Sequence, residues 1–115
     1  MAAEEKRLHF RKFLRAEASI ADVLGNTWTA INFLDISRSG AAFISPSALA
    51  PGSSRTVRFC LPENPKRISV ICKIVHCAEH PYLSGYRVGV EFARIQSDDV
   101  DLIDGFIAQT NTAAT

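Results

Sequence analysis

The most regular pattern in the chain runs from Tyr86 to Phe92. Tyr86, Val88, Val90 and Phe92 are apolar, and Arg87, Gly89 and Glu91 stand between them. A period of two sends alternate side chains to opposite faces, so this run predicts a strand with one face on a core. Less regular apolar runs predict strands over Ser19–Leu24, Thr27–Asp35, Ala41–Ile44, Thr56–Leu61 and Ile68–Cys77. In Thr56–Leu61, Val57, Phe59 and Leu61 share one face, opposite Arg58 and Cys60. Ile68–Cys77 is apolar almost throughout, with Lys73 as its main exposed position. Thr27–Asp35 alternates imperfectly, which leaves its register open. Gly89, inside a strand, marks a bend, a bulge or a close approach, and a bend is the preferred reading.

The period changes after Ser97. Val100, Ile103 and Ile107 are spaced by three and four, and Leu102 and Phe106 widen the stripe. This predicts a helix to about Gln109 that packs on the sheet, with Ser97 as its cap and Asp98, Asp99 and Asp101 at its positive end. The strands are separated by turn-forming clusters: Gly25-Asn26, Asp35–Gly40, Pro46–Ser54, Pro62–Arg67 and Glu79–Gly85. Five or six short antiparallel strands spaced this way predict an all-β-dominated small barrel or sandwich, with the helix capping or flanking it. Closure would remove exposed strand edges. Residues 1–6 read as a lead-in. Arg7–Leu14 reads as a helical turn or an extended strap, anchored by Phe10, Phe13 and Leu14.

With 115 residues there is room for one modest core. The net charge of +1 places no strong field over the whole molecule. Its distribution is more telling. Residues 1–15 carry five basic side chains (Lys6, Arg7, Arg11, Lys12, Arg15) against Glu4 and Glu5, whereas the stretch from Ser97 onward carries four Asp and no Lys or Arg. A basic segment on a near-neutral body fits a local anion site better than a nucleic-acid surface. Cys60, Cys72 and Cys77 are odd in number, form no C-x-x-C pair and lie in apolar runs. They read as reduced core thiols, with no metal site and a reducing cytoplasm as the default. His9, His76 and His80 form no metal-like grouping. No apolar stretch reaches the roughly 18 residues of a membrane span, and the N-terminus lacks a signal-peptide core. No P-loop, zinc-protease motif or nucleophile motif is present, so an enzyme is not expected.

Two segments remain. Arg7-Leu8-His9-Phe10-Arg11 fits R-x-x-x-R, and Asp35-Ile36-Ser37-Arg38-Ser39-Gly40 fits [D/N]-x-S-x-x-G. Arg offers a planar fork of donors suited to phosphate oxygens and to the O6/N7 edge of guanine. An Asp carboxylate accepts from guanine N1–H and N2–H. Without further context, the first segment reads as a solvated basic terminus and the second as a turn between strands. Together, and with Val88-Gly89-Val90-Glu91-Phe92 further on, they resemble the PilZ family of cyclic-di-GMP receptor domains, of the single-domain type. The resemblance runs from about Lys6 to Ile107.

That resemblance implies a six-stranded antiparallel β-barrel with a C-terminal helix and a flexible N-terminal strap. The layout would be one domain over residues 1–109, with the strap at 1–15, the barrel at 16–94, the helix at 97–109 and a frayed tail at 110–115. It implies a ligand site of Lys6, Arg7, Arg11, Asp35, Ser37, Arg38, Gly40 and His76. Arg11–Arg15 is a second arginine register that also fits. Cyclic-di-GMP would be a signalling ligand, and no cofactor is implied. The protein would be a bacterial cytoplasmic receptor or adaptor, a monomer or weak dimer without nucleic-acid binding or membrane insertion, that changes shape and signals to an effector protein. The alternative within the family is a ligand-independent adaptor in pilus or motility regulation.

Overall fold

The computed structural model describes residues 11–14 and 16–113, the side chains as far as residue 109. Among these residues seven strands and a helix follow in order: β1 (Lys12–Phe13), β2 (Glu17–Ala21), β3 (Trp28–Ile36), β4 (Gly40–Ser45), β5 (Ser54–Phe59), β6 (Ile68–Glu79), β7 (Tyr86–Arg94) and α1 (Ser97–Ala113). The sheet order β3-β2-β5-β6-β7-β4 closes because β4 also pairs with β3, and β1 adds to β3 outside the ring. All pairings are antiparallel. The result is a six-stranded barrel with one extra strand; the spacing of strands and turns left a barrel or a sandwich open, and the family resemblance implied the six-stranded barrel.

The inside is filled by the alternate residues that the pattern singles out. Ile31, Phe33, Ala41, Phe43, Val57, Phe59, Val70, Ile74, Val88 and Val90 all lie in one cluster, which Ile103 and Phe106 of α1 join. The rings of Phe33 and Phe59 stand 4.8 Å apart at their centroids, within the range of favourable aromatic pairing. β6 alternates more cleanly than its composition implied. Ile71 and Val75 point outward and are exposed along with Lys73, so the strand is buried on one face only. Of the three thiols, Cys72 is fully buried and Cys60 and Cys77 are half-buried.

Several local expectations change. The strap region is partly ordinary sheet, because Lys12 and Phe13 pair with Ile36 and Asp35. β1 and β2 thus lie one after the other along the same edge of β3. Leu14 packs in the core, but Phe13 is 84% exposed and anchors nothing; Phe10 lies outside the described residues. The helix starts one residue earlier in hydrogen-bonding terms, since the Gln96 carbonyl accepts from the Val100 amide at 3.0 Å. Gln96 therefore holds the cap position given to Ser97. The helix also continues to Ala113, through part of the stretch read as a frayed tail. Trp28 is half-exposed on the outer wall, with the Arg58 guanidinium 4.0 Å from its ring.

Candidate ligand site on the outer barrel wall

Two bulges shape the wall that carries the second motif. In β3 the pairing with β4 runs Phe33 to Phe43 and then Asp35 to Ala42, leaving Leu34 as an extra residue. Phe33 and Ile36 both enter the core. Strict alternation would have sent Asp35 inward behind Phe33. The bulge turns it to the outer face instead. On β6 the pairing with β7 runs Ile74 to Val90 and then His76 to Gly89, leaving Val75 as the extra residue. Between the two bulges, one row crosses four strands: Asp35, Ala42, Gly89 and His76. Its middle is a methyl group and a bare backbone, a flat floor between a carboxylate and an imidazole.

Asp35 is held from two sides. The Arg11 guanidinium donates to Oδ1 at 2.9 Å, and an Nη of Arg87 lies 3.8 Å from Oδ2. The carboxylate is 7% exposed, whereas Arg11 remains 57% exposed. The bend after Asp35 is tied by its own serines. The Ser37 amide donates to the Gly40 carbonyl at 2.8 Å, and the Ser37 Oγ accepts from the Ser39 amide at 3.3 Å. Ser37 is buried in this turn. Gly40 sits hard against β7, where a Cβ would collide with the Val90 carbonyl oxygen. Its lack of a side chain is thus a packing requirement of the turn. Gly89 differs: a Cβ there would meet the His76 Cβ at 3.6 Å and a Val75 methyl at 3.8 Å, which is ordinary contact.

The site is wired to α1. Arg38 lies 3.6 Å from the Asp104 carboxylate. The Lys12 ammonium donates to the Phe106 carbonyl at 3.1 Å and stands 3.7 Å from the centre of its ring. Lys12 follows Arg11 directly, so neighbouring strap residues hold Asp35 and the helix.

Of the residues singled out in the sequence, Arg11, Asp35, Ser37, Arg38 and Gly40 lie around this turn, and His76 closes the far end of the row. Lys6, Arg7 and Arg15 lie outside the described residues. Arg11 is common to both arginine registers. Arg87 was missed. It appeared only as a polar place on an alternating strand, and the bulge that brings Asp35 toward it leaves no mark in composition. Among the described residues no group of three or more His, Cys, Asp or Glu is placed to hold a metal ion, and no helix is long and apolar enough to cross a membrane.

The PilZ domain model matches residues 5–109. The chain belongs to the PilZ domain family. No curated protein matches it. Solved structures share the PilZ fold at low identity. The Bacillus subtilis inhibitor of motility, MotI/DgrA, superposes with a TM-score of 0.82 at 16% identity, over 96% of this chain and 53% of that one. This PilZ chain thus spans about half the length of that relative. The PilZ domain of Escherichia coli YcgR with c-di-GMP gives 0.76 at 11% identity, over 95% and 94%. A tetrameric PilZ protein of Xanthomonas campestris, self-assembled through a helical bundle, gives 0.70 at 13%, over 98% and 92%.

Proposed function

We propose that this PilZ domain is a cyclic-di-GMP receptor whose ligand lies on the Asp35–Ala42–Gly89–His76 row. The observation that carries the reading is the Arg11–Asp35 contact, which joins the two motifs across 24 residues of sequence. A guanine on the flat floor would present N1–H and N2–H to Asp35, while Arg11 and Arg38 turn to phosphates or to the O6/N7 edge. Ser37 and Gly40 shape the turn and leave the contacts to their neighbours. Lys6 and Arg7 would add charge from the strap, and His76 would flank the second purine. The YcgR domain with c-di-GMP supports this assignment through the shared fold.

The ion pairs give the reading a mechanism. Arg11 and Arg38 are engaged by Asp35 and Asp104 when no ligand competes. A dianionic ligand replaces those carboxylates as the partner of each guanidinium. Movement of Arg11 carries Lys12 with it, which strains its hold on Phe106, and loss of Arg38 frees Asp104 on the same helix. Occupancy is thereby converted into a change at α1 that an effector protein could read. Calorimetric titration with cyclic-di-GMP, with GTP and cyclic-di-AMP as controls, tests the reading. Saturable heat with the first ligand alone is expected. No heat with any of them would leave the ligand-independent adaptor as the better account.

A further inference from the structure

The opposite wall of the barrel carries a second feature that the ligand reading does not use. In the closed ring β2 and β5 lie across from β7 and β4. Their outer face, with the first half of β3, forms a groove of about 490 Å³. Its floor holds Ser19 and Ala30, paired in register, with Arg58 paired to Ser19 on the other side. Small residues in the middle let the flanking long side chains meet above them, and the Arg58 guanidinium lies 4.0 Å from the Trp28 ring. Arg67 lines the same groove, and Glu17 is its single carboxylate. Among the described residues neither Arg58 nor Arg67 is paired with an acidic side chain.

Stacking on an indole fixes the plane of a guanidinium without consuming its N–H groups. The donors of Arg58 therefore remain available at the edge, already oriented for a planar acceptor. Less side-chain freedom is lost when such a group binds than when a free arginine does. Trp and Arg are also the residue types that dominate binding energy at protein interfaces.

We propose that this wall docks an acidic segment of a partner protein, with Arg58 and Arg67 taking its carboxylates and Trp28 packing beside them. Charge complementarity selects the occupant: two cations with no acidic partner among the described residues face outward over one anion. The position suits a receptor, because a partner seated here leaves the Asp35 wall and its strap uncovered.

Trp28 is the only tryptophan of the chain, so its emission reports on this wall directly. The probe is a labelled peptide of alternating Glu and Gly, followed by its anisotropy and by Trp28 fluorescence on the full chain. Saturable binding with a shift in emission is expected. Raising the salt to about 1 M, where screening acts within roughly 3 Å, should abolish it. Arg58→Ala and Arg67→Ala should each weaken binding at least tenfold with unchanged circular dichroism. Arg58→Lys, which keeps the charge and loses the planar fork, should weaken it at least threefold. Arg94→Ala, on β7, should leave it unchanged. Equal affinity in wild type and the Arg58→Ala/Arg67→Ala double variant would overturn the proposal. So would an RNA oligonucleotide that displaces the peptide and binds more tightly. Binding of the peptide is expected with or without cyclic-di-GMP, so failure of the nucleotide titration leaves this test intact.

Discussion

Arg11 donates to Asp35 at 2.9 Å from a strap that meets β3 edge to edge. The carboxylate is covered and the guanidinium largely open, so the contact is anchored at one end and free to be exchanged at the other. Arg11→Ala is expected to weaken cyclic-di-GMP binding by more than about 1.5 kcal/mol, the scale of a hydrogen bond to a charged group, and to leave the fold intact. Calorimetry of the variant beside its thermal unfolding checks both halves. Unchanged affinity would place the ligand elsewhere.

The two glycines of the wall should respond in opposite ways. A Cβ at Gly40 meets the Val90 carbonyl, which cannot rotate aside. Gly40→Ala should cost about 1–3 kcal/mol of stability, as overpacking does. Gly89→Ala finds room for its methyl and should change stability by less than about 0.5 kcal/mol. It raises the floor between Asp35 and His76, however, and should weaken the ligand at least tenfold. Urea midpoints and binding curves of the pair separate the effects.

Coupling to the helix should be separable from affinity. Lys12→Gln removes the cation beside the Phe106 ring and its charged donor. Cyclic-di-GMP affinity should stay within about threefold, since Lys12 is engaged with Phe106 of α1 and not with the Asp35 wall. The ligand-induced shifts of backbone NMR signals over residues 103–109 should shrink. Full-size shifts in the variant would assign the coupling to Arg38 and Asp104 instead.

Burial pushes the Cys72 thiol from 9.0 up to about 12. The folded state thus keeps its proton where the unfolded chain releases it. The stability this represents is complete below pH 9 and is lost as pH rises toward 12. Urea midpoints should fall across that interval with a slope approaching about 1.4 kcal/mol per pH unit from this group. Cys72→Ala should remove that share of the slope. Alkylation of Cys72 should require unfolding, because the neutral thiol is a poor nucleophile.

Much of the barrel could be read in advance. Tyr86–Phe92 and Thr56–Leu61 alternate because each has one face on the core, and the burial of Val57, Phe59, Val88 and Val90 follows that pattern. β1 escaped notice because a two-residue strand has no period; only its edge pairing with Asp35 and Ile36 creates it. The exposure of Phe13 and the half-exposed stack of Trp28 are likewise decisions of tertiary geometry, which override the usual preference of large aromatics for a core. At the site, Arg11 and Asp35 were recognisable as a pair through the family resemblance. Their meeting with Arg87, and the ties from Lys12 and Arg38 to α1, depend on contacts between segments 52 to 94 residues apart.

The bulge at Leu34 has a genetic consequence. Two residues stand between Phe33 and Ile36, both of which enter the core, where strict alternation has room for one. Replacing Leu34 by another side chain keeps that count. Deleting it would leave Asp35 alone between the two core positions, outward by strict alternation, so the carboxylate would keep its face without a bulge. A single-codon deletion at Leu34 should therefore be tolerated better than one elsewhere in β3, where the side chains beyond it would change face.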